Sequence, residues 1–299
     1  MKRVVSISLG SSRRDHQAEV QFNGVRFQVE RRGTDGDMKK MIAMVSELDG
    51  KVDAFGLGGI DLYVGTPGRR YIFRDAKNIV KAARKTPVVD GSGLKNTLER
   101  NTIKYLAEKL GWSFAEKKVL LISALDRWGM AETLAQYGSS LLIGDFMFTL
   151  GLPFPIRKLK TIDRVARILA PLVVQLPFSI VYPTGKKQDS SDGRLARYFN
   201  DKDIIAGDFN YIYKHMPRNM EGLKLITNTV TATDIDELRS RGVKTLVTTT
   251  PALNGRSFGT NVMEAVLVAY AGRDSELSPE EYNRLLAELK FVPRVEDLS

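Results

Sequence analysis

The stretch from Lys118 to Phe146, KVLLISALDRWGMAETLAQYGSSLLIGDF, constrains the fold more than any other segment, because it spells a strand, a turn, a helix and a second strand without interruption. Val119 to Ile122 is an unbroken apolar run, the pattern of a strand covered on both faces. Met130, Leu134 and Tyr137 recur at helical spacing until Gly138 supplies a stop, and Leu141 to Ile143 forms the next apolar run. Two such strands joined by one helix must lie parallel in a sheet with helices on its faces. The second strand ends on Gly144-Asp145, and an acid at that tip, about 20 residues beyond the first turn, is where a nucleotide-binding unit grips the ribose hydroxyls. The turn itself, Ser123-Ala124-Leu125-Asp126-Arg127-Trp128-Gly129, keeps one glycine where a dinucleotide fingerprint has three.

Upstream, strand-like runs (Arg3–Leu9, Glu19–Phe22, Val25–Glu30, Val52–Leu57, Tyr71–Arg74, Val88-Val89) interleave with helical ones (Asp37–Leu48, Asp75–Lys85, Leu94–Leu110). Asn23-Gly24 between two strands is a hairpin signal, so this part of the sheet is mixed. Downstream, strands are expected at Ser179–Tyr182, Ile204–Ala206, Lys224–Asn228 and Thr245–Thr249, and helices at Thr161–Ala170, Gly193–Tyr198, Thr233–Arg241 and Gly259–Tyr270. Ser278-Pro279-Glu280-Glu281 opens a last helix to Leu289, with a serine cap and proline in the first turn. The expectation is an α/β protein of two domains. Residues 1–115 form a mixed substrate-type domain, and 116–299 a Rossmann-like doubly wound parallel-sheet domain whose closing helices return to the first.

The chain has no cysteine, which excludes disulfides, thiolate nucleophiles and cysteine-held metals, and its two histidines, His16 and His215, argue against a multi-histidine site. No metal is expected, with a Mg²⁺ site built from carboxylates left open as the alternative. No apolar run reaches the ~20 residues of a membrane span and the N-terminus lacks a signal-peptide core, so a cytoplasmic protein with no membrane partner is expected. The net charge of +10 favours anionic partners: phosphorylated cofactors, carboxylate substrates, nucleic acid or an anionic surface. The basic pairs Arg13-Arg14, Arg31-Arg32, Arg69-Arg70 and Lys186-Lys187 are scattered and no nucleic-acid motif accompanies them. The partners expected are therefore a small anionic substrate and a second copy in a homodimer, not nucleic acid.

Four clusters carry candidate chemistry. Asp90-Gly91-Ser92-Gly93-Leu94-Lys95-Asn96-Thr97 leaves a strand through glycines onto a helix start, where free N–H groups receive anions. Lys95 beside Asp90 is a candidate proton-transfer pair, with a tight turn and a solvated lysine as the alternative. Ser8, Ser11, Ser12 and Arg13 follow the first strand and, with Asn96, are candidates for substrate contact, or else a surface turn with a basic edge. Ser123, Asp126, Arg127, Gly129 and Asp145 would hold a cofactor, joined by Asp208 and Thr249 at later strand ends. Ile143-Gly144-Asp145-Phe146 and Ala206-Gly207-Asp208-Phe209 echo one another, which strand-exit capping also explains. Gly56 to Asp61 reads as a sharp turn, Arg157, Lys158 and Lys160 as a solvated basic face, His215 as structural, and Pro251 to Asn261 as a ligand-approach loop or a helix cap.

Asn96-Thr97 ahead of the second domain and the glycine-led helix from Gly259 to Gly272 give the chain a layout that resembles the quinate/shikimate dehydrogenase family. The resemblance implies an NAD- or NADP-dependent oxidoreductase acting on a small hydroxylated carboxylic acid, with Ser8 and Ser11 in the place of substrate-binding serines. It also shows departures: Leu98 stands where the catalytic aspartate is expected, Val266 where a substrate-binding glutamine is expected, and Gly129 alone remains of the glycine-rich turn. In that reading Lys95 is the acid/base, Asp90 orients it, and Asp145 favours NAD. Two alternatives stay open, a non-catalytic small-ligand-binding or regulatory protein on the same scaffold, and a nucleotide-dependent transferase or ligase using Gly91 to Lys95 as its anion loop.

Overall fold

The computed structural model describes every residue except 67, 150, 182–192, 251, 254–255 and 258. Lys186-Lys187, Tyr182 and part of the Pro251 to Asn261 segment thus lie outside the described residues. The fold is α/β with two main sheets, as the sequence leads one to expect. Contacts divide the chain into one unit made of Met1–Thr97, Ile168–Gln188 and Gly259–Phe291, and another made of Leu98–Arg167, Asp189–Phe258 and Val292–Ser299.

The strands of the first unit's sheet are β1 (Lys2–Ser8), β2 (His16–Phe22), β3 (Val25–Gly33), β4 (Ala54–Gly58) and β7 (Val88–Val89), in the order β2-β3-β1-β4-β7. Only β2 is antiparallel to its neighbour. It is turned back by Asn23 and Gly24 at φ 44° and 79°, the left-handed pair that a two-residue hairpin requires. One face of this sheet, with Val5, Ile7, Phe55 and Leu57, packs against α1 (Met38–Leu48) and α2 (Ala76–Ala82). The same core takes Val174 and Phe178 from the region of α5 (Leu159–Val173) and α6 (Phe178–Val181). On the other face α9 (Thr260–Ala271) comes so close that a Cβ on Gly56 would lie 2.6 Å from the Asn261 carbonyl oxygen. A small hairpin, β5 (Tyr63–Thr66) with β6 (Arg69–Ile72), and α10 (Pro279–Glu288) complete the unit. The final helix has the expected cap: Ser278 Oγ accepts from Glu281 N, and Glu281 returns the bond to Ser278 N.

The second unit holds a six-stranded sheet of β8 (Lys118–Ile122), β9 (Ser140–Ile143), β10 (Ile204–Gly207), β11 (Lys224–Thr227), β12 (Thr245–Thr248) and β15 (Arg294–Asp297). Their order is β15-β12-β11-β10-β8-β9. The first five by sequence are parallel and β15 is antiparallel to β12. Two short strands after β12, β13 (Ala252–Leu253) and β14 (Arg256–Ser257), pair only with each other. Alternate residues of the large sheet feed two cores. Val119, Leu121, Ile204, Ala206, Ile226 and Val247 pack with Ile103 and Leu106 of α3 (Ser92–Glu108) and with Met130 and Leu134 of α4 (Trp128–Gln136). Leu120, Ile122, Ile205, Leu225 and Leu246 pack with Ile212 of α7 (Phe209–His215) and with Ile235 and Leu238 of α8 (Ala232–Ser240). Helices on both faces of a parallel sheet make this unit doubly wound, and its strand order reverses between β8 and β10.

Three local expectations differ from the structure. The strand expected at Ser179–Tyr182 is the short helix α6, started by Pro177 and tied down by a 3.0 Å bond from Phe178 N to Asp75 Oδ2. The strand β15 has no counterpart among the expected strands; it joins the sheet by pairing with β12. A single cut near residue 115 differs from the observed grouping, in which α3 is divided after Thr97; α9 and α10 group with the first unit, to which the closing helices are expected to return. The reason is that Ile103 and Leu106 of α3 already belong to the second unit's core, while the N-terminal end of α9 packs against Gly56 of β4.

Candidate functional site

In the first unit the parallel strands β1, β4 and β7 deliver their carboxyl ends to one edge, where sheets of this kind bind ligands. From β7 the chain leaves through Asp90 and Gly91 into α3. Gly91 has φ +96°, and a Cβ there would lie 2.7 Å from Asn261 N, so no other residue fits this exit. Asp90 is 7% exposed and accepts bonds from Leu62 N and from Ser92 N, the latter at 2.9 Å. Burial raises its pKa, against the pull of those two N–H groups and of Lys95. Lys95, whose charge acts on Asp90, also has a second acid beside it: Lys95 Nζ lies 3.5 Å from Asp61 Oδ1. The lysine side chain is 12% exposed and the aspartate 23%. Asp61, reached from β4 through a turn, is the site residue that sequence reasoning missed. Its signal was present as a strand exit through Gly58-Gly59 ending in an acid, but nothing in the sequence ties position 61 to position 95.

Behind this dyad lies a second layer of acids. Glu264 of α9 is fully buried and accepts from Gly91 N at 2.6 Å, Leu94 N at 3.2 Å and the Tyr282 hydroxyl. The N–H groups expected to greet an anion at the start of α3 are therefore already bonded to a carboxyl group. Burial, reinforced by the charge of Asp90, pushes the Glu264 pKa up to about 8, so it is protonated at neutral pH. Glu276 is gripped by both terminal nitrogens of Arg70 at 2.8 Å, accepts from the Tyr63 hydroxyl at 3.2 Å, and Arg70 stacks 4.2 Å above the Tyr63 ring. Burial, and then Glu276, raise the Tyr63 pKa.

The other expected substrate contacts form local structure. Ser8 Oγ accepts from Gly10 N, Ser11 Oγ from Arg13 N, and Ser12 N donates to Asp35 Oδ1. Arg13 is exposed. Ser12 does line an open cleft of about 440 Å³ with His16, Arg31, Arg32 and Lys40, yet Arg31 is paired with Asp15 and Arg32 with Glu30. Asn96 lies on α3 with a buried Oδ1 that has no hydrogen-bond partner among the described residues. Leu98 and Val266, at positions where the resemblance places polar groups, are core residues at 3% and 2% exposure.

The expected cofactor residues do converge, at the carboxyl edge of the second unit's sheet, but they bond to one another. Ser123 ends β8 with φ +66°, the left-handed position a fingerprint glycine would take. Asp145 accepts from Ala124 N at 2.7 Å and Leu125 N at 2.9 Å, so both carboxylate oxygens close the turn. Burial, opposed by those N–H bonds, pushes its pKa up to about 6. Arg127 points into the switch between β8 and β10, where it bonds Glu99 of α3 and, at 3.0 Å, Asp208 beyond β10. It is 2% exposed; burial alone would lower its pKa, but Glu99, Asp208 and Asp126 together outweigh that and raise it. Asp208 also accepts from Asn228 Nδ2 at 2.7 Å and caps α7 through Asn210 N. Gly129 is buried in α4 with its carbonyl bonded by Thr133, and Thr249 N donates to Thr227 O. The crevice that a doubly wound sheet offers a dinucleotide is filled here by an arginine and its two acids, and the N–H pair that would meet a pyrophosphate is bonded to Asp145. The residues present do not fit NAD or NADP at this turn. Asp145 and Arg127, expected to touch a cofactor, close the turn and fill the crevice instead.

Among the described residues no group of three or more His, Asp or Glu side chains is arranged to hold a metal ion, and no helix is long and apolar enough to cross a membrane. No curated protein matches the chain in sequence. Solved structures show distant likeness. An ABC transporter solute-binding protein from Agrobacterium vitis, bound with alpha-D-tagatopyranose, has 10% identity and a TM-score of 0.41, over 98% of this chain and 100% of its own. L-tryptophan dehydrogenase from Nostoc punctiforme has 11% identity and a TM-score of 0.39, over 97% and 79%. One component of the dipicolinate synthase from Bacillus halodurans has 13% identity and a TM-score of 0.31, over 97% and 96%. Residues 3–90 match the family described as Domain of unknown function (DUF8753). Residues 93–298, more than half of the chain, match a second family, and the chain belongs to it: Domain of unknown function (DUF8754).

Proposed function

We propose that the chain binds a small, neutral, polyhydroxylated molecule at the carboxyl edge of its first sheet, where Lys95 donates hydrogen bonds to its hydroxyl groups and Asp61 accepts hydrogen bonds from them. The observation that carries this reading is the Lys95–Asp61 pair, 3.5 Å apart and only 12% and 23% exposed, at the edge where parallel strands end. The Lys95 ammonium donates hydrogen bonds to hydroxyl oxygens, and the Asp61 carboxylate accepts them from hydroxyl groups. Asp61 keeps the ammonium charged and aimed; Asp90, buried behind it, fixes the loop that carries it. The surrounding charge selects the ligand class. Asp61 pairs with Lys95, Asp90 lies close enough to feel the Lys95 charge, and Arg70 is held by both oxygens of Glu276. A carboxylate ligand would enter a field of acids, whereas hydroxyl groups can donate to them. The ligand expected from net charge alone, a small anion, is therefore replaced by a polyol.

A nicotinamide-dependent oxidoreductase of quinate/shikimate-dehydrogenase-like kind is the second reading. Its specific support is the strand, turn, helix and strand of Lys118 to Asp145 with an acid at the tip of the second strand. Against it stands the Asp145 carboxylate on the turn N–H groups.

Thermal-shift measurements with monosaccharides, inositols, hydroxy acids, NAD, NADP and ATP separate the readings when run on the wild type, Lys95→Met and Asp61→Asn. A ligand at about a hundred times its Kd adds roughly 2.7 kcal/mol and a clear rise in Tm. The proposal expects that rise with a neutral polyol in the wild type and its loss in both variants. A rise with NAD or NADP that Lys95→Met leaves intact supports the second reading, and a hydroxy acid binding better than its neutral analogue refutes the charge argument.

A further inference from the structure

The parallel strands of the second unit's sheet also bring their amino ends to one edge, and there the fold assembles a basic row that the sequence scatters. Lys118 opens β8, Lys202 stands two residues before β10, Lys224 opens β11 and Lys244 immediately precedes β12. Each is at least 20 residues from the next along the chain, so no basic cluster is legible in the sequence. In the sheet Ile204 lies beside both Val119 and Lys224, and Lys224 beside Thr245, so the row crosses four neighbouring strands. At about 4.8 Å per strand it spans roughly 14 Å. Asp203 ties the row together: its carboxylate accepts from Lys118 N at 2.8 Å and pairs with Lys117 Nζ at 3.2 Å, and its carbonyl accepts from Lys224 N. Lys224 Nζ rests 4.0 Å above the Trp112 ring, which holds the ammonium in place.

Positive charge is in excess at this edge. Among the described residues Lys117, Lys118, Arg157, Lys202, Lys224 and Lys244 act on one another here, against Asp201, Asp203 and Asp297. Burial, then Lys117 and Lys244, lower the pKa of Lys224 by more than Asp203 raises it. Burial lowers that of Lys202, and Lys118 and Arg157 act in the same direction against Asp201. Lys118 and Lys244 are exposed, and the Lys117 side chain is 46% exposed. We propose that this edge binds the sugar–phosphate backbone of a DNA duplex, its lysines meeting phosphates and reading no bases. A lysine is a compact point charge suited to phosphate, whereas the planar fork of arginine matches a carboxylate. Five lysines with one arginine therefore favour a phosphate polyanion over an acidic protein segment. Single strands are held by stacking bases on aromatic rings, and the ring beside this edge, Trp112, already carries Lys224 and packs with Phe114. A duplex, with about one phosphate per 1.7 Å of its axis, is dense enough in charge to meet a row of this length.

The test is fluorescence anisotropy of a labelled DNA duplex of arbitrary sequence with the full chain, at salt concentrations from about 25 to 200 mM. Three proteins are compared: wild type, Lys118→Gln with Lys244→Gln, and Lys39→Gln with Lys77→Gln, which removes the same charge from the first unit. All four lysines are exposed, so melting transitions equal to the wild type's are expected in both variants. Wild-type affinity should fall with salt on a logarithmic slope of about −4, for roughly four phosphate contacts. The Lys118 and Lys244 variant should bind roughly tenfold or more weakly at low salt, with a slope shallower by about 2, while the first-unit variant follows the wild type. No duplex binding by the wild type at the lowest salt, or equal losses in the two variants, overturns the proposal. Tighter binding of a single strand of the same length, or of polyglutamate, than of the duplex overturns it as well.

Discussion

Replacing Glu264 by glutamine should change how the protein's stability depends on pH. Glu264 accepts from Gly91 N, Leu94 N and the Tyr282 hydroxyl in a fully buried position, with Asp90 and Glu276 as the nearest acids. Its pKa is about 8 in the fold, against 4.5 for an ordinary glutamate. Between those two values the folded chain holds a proton that the unfolded chain has released, so stability falls as pH rises. The contribution is complete below pH 4.5 and lost through pH 8. The slope is about 1.4 kcal/mol per pH unit, or roughly 3 kcal/mol between pH 6 and 8. Glutamine stays neutral throughout, but its amide nitrogen cannot accept from Gly91 N, which costs roughly 1–3 kcal/mol at any pH. Equilibrium urea unfolding at half-unit pH steps from 6 to 9, followed by far-UV ellipticity, should find Glu264→Gln less stable at pH 6, with the gap closing or inverting by pH 9. Asp145, which titrates near 6, is common to both proteins and cancels in the difference. A difference between wild type and variant that stays constant from pH 6 to 9 refutes the assignment of that proton to Glu264.

Other outcomes follow from the second unit and from the exit of β7. Arg127→Met leaves the buried Glu99 carboxylate and the half-buried Asp208 carboxylate without their shared cation, and should cost roughly 3–5 kcal/mol. Both tryptophans, Trp112 and Trp128, belong to this unit, so their fluorescence in urea is a direct probe, and a loss under 1 kcal/mol would mean the triad is not buried as described. Asp145→Asn offers one acceptor where two N–H groups need one each. It should lower stability by about 1–3 kcal/mol and speed hydrogen exchange at Ala124 and Leu125; unchanged exchange there would contradict the turn-closing role. Gly91→Ala places a Cβ 2.7 Å from Asn261 N at φ +96°, and should lower Tm by several degrees more than Gly151→Ala, whose Cβ would meet nothing within 4 Å.

The parallel strands were legible because residues buried on both faces leave apolar runs, as Val119 to Ile122 and Ile204 to Ala206 do, and the hairpin because Asn23-Gly24 supplies two left-handed residues. What could not be read depends on partners distant in the chain. Arg127 in a turn looks like a ligand contact until Glu99 and Asp208, 28 and 81 residues away, are seen to claim it. Asp145 was placed at the right strand tip, but an acid there serves a ribose or the chain's own N–H groups equally well. Lys95 was singled out for its glycine-rich approach, yet its partner Asp61 comes from another strand. Ser179 to Tyr182 has strand-like composition, and the Phe178 anchor and the preceding proline make Ser179 to Val181 helical.

Crystals of the protein soaked with a mixture of neutral sugars and inositols, together with NAD, test the central claim most directly. The account predicts density for a polyol within hydrogen-bond distance of Lys95 Nζ and Asp61, and none at the Ser123 to Arg127 turn. Density for a dinucleotide at that turn, with the Asp145 carboxylate displaced from Ala124 and Leu125, would contradict it.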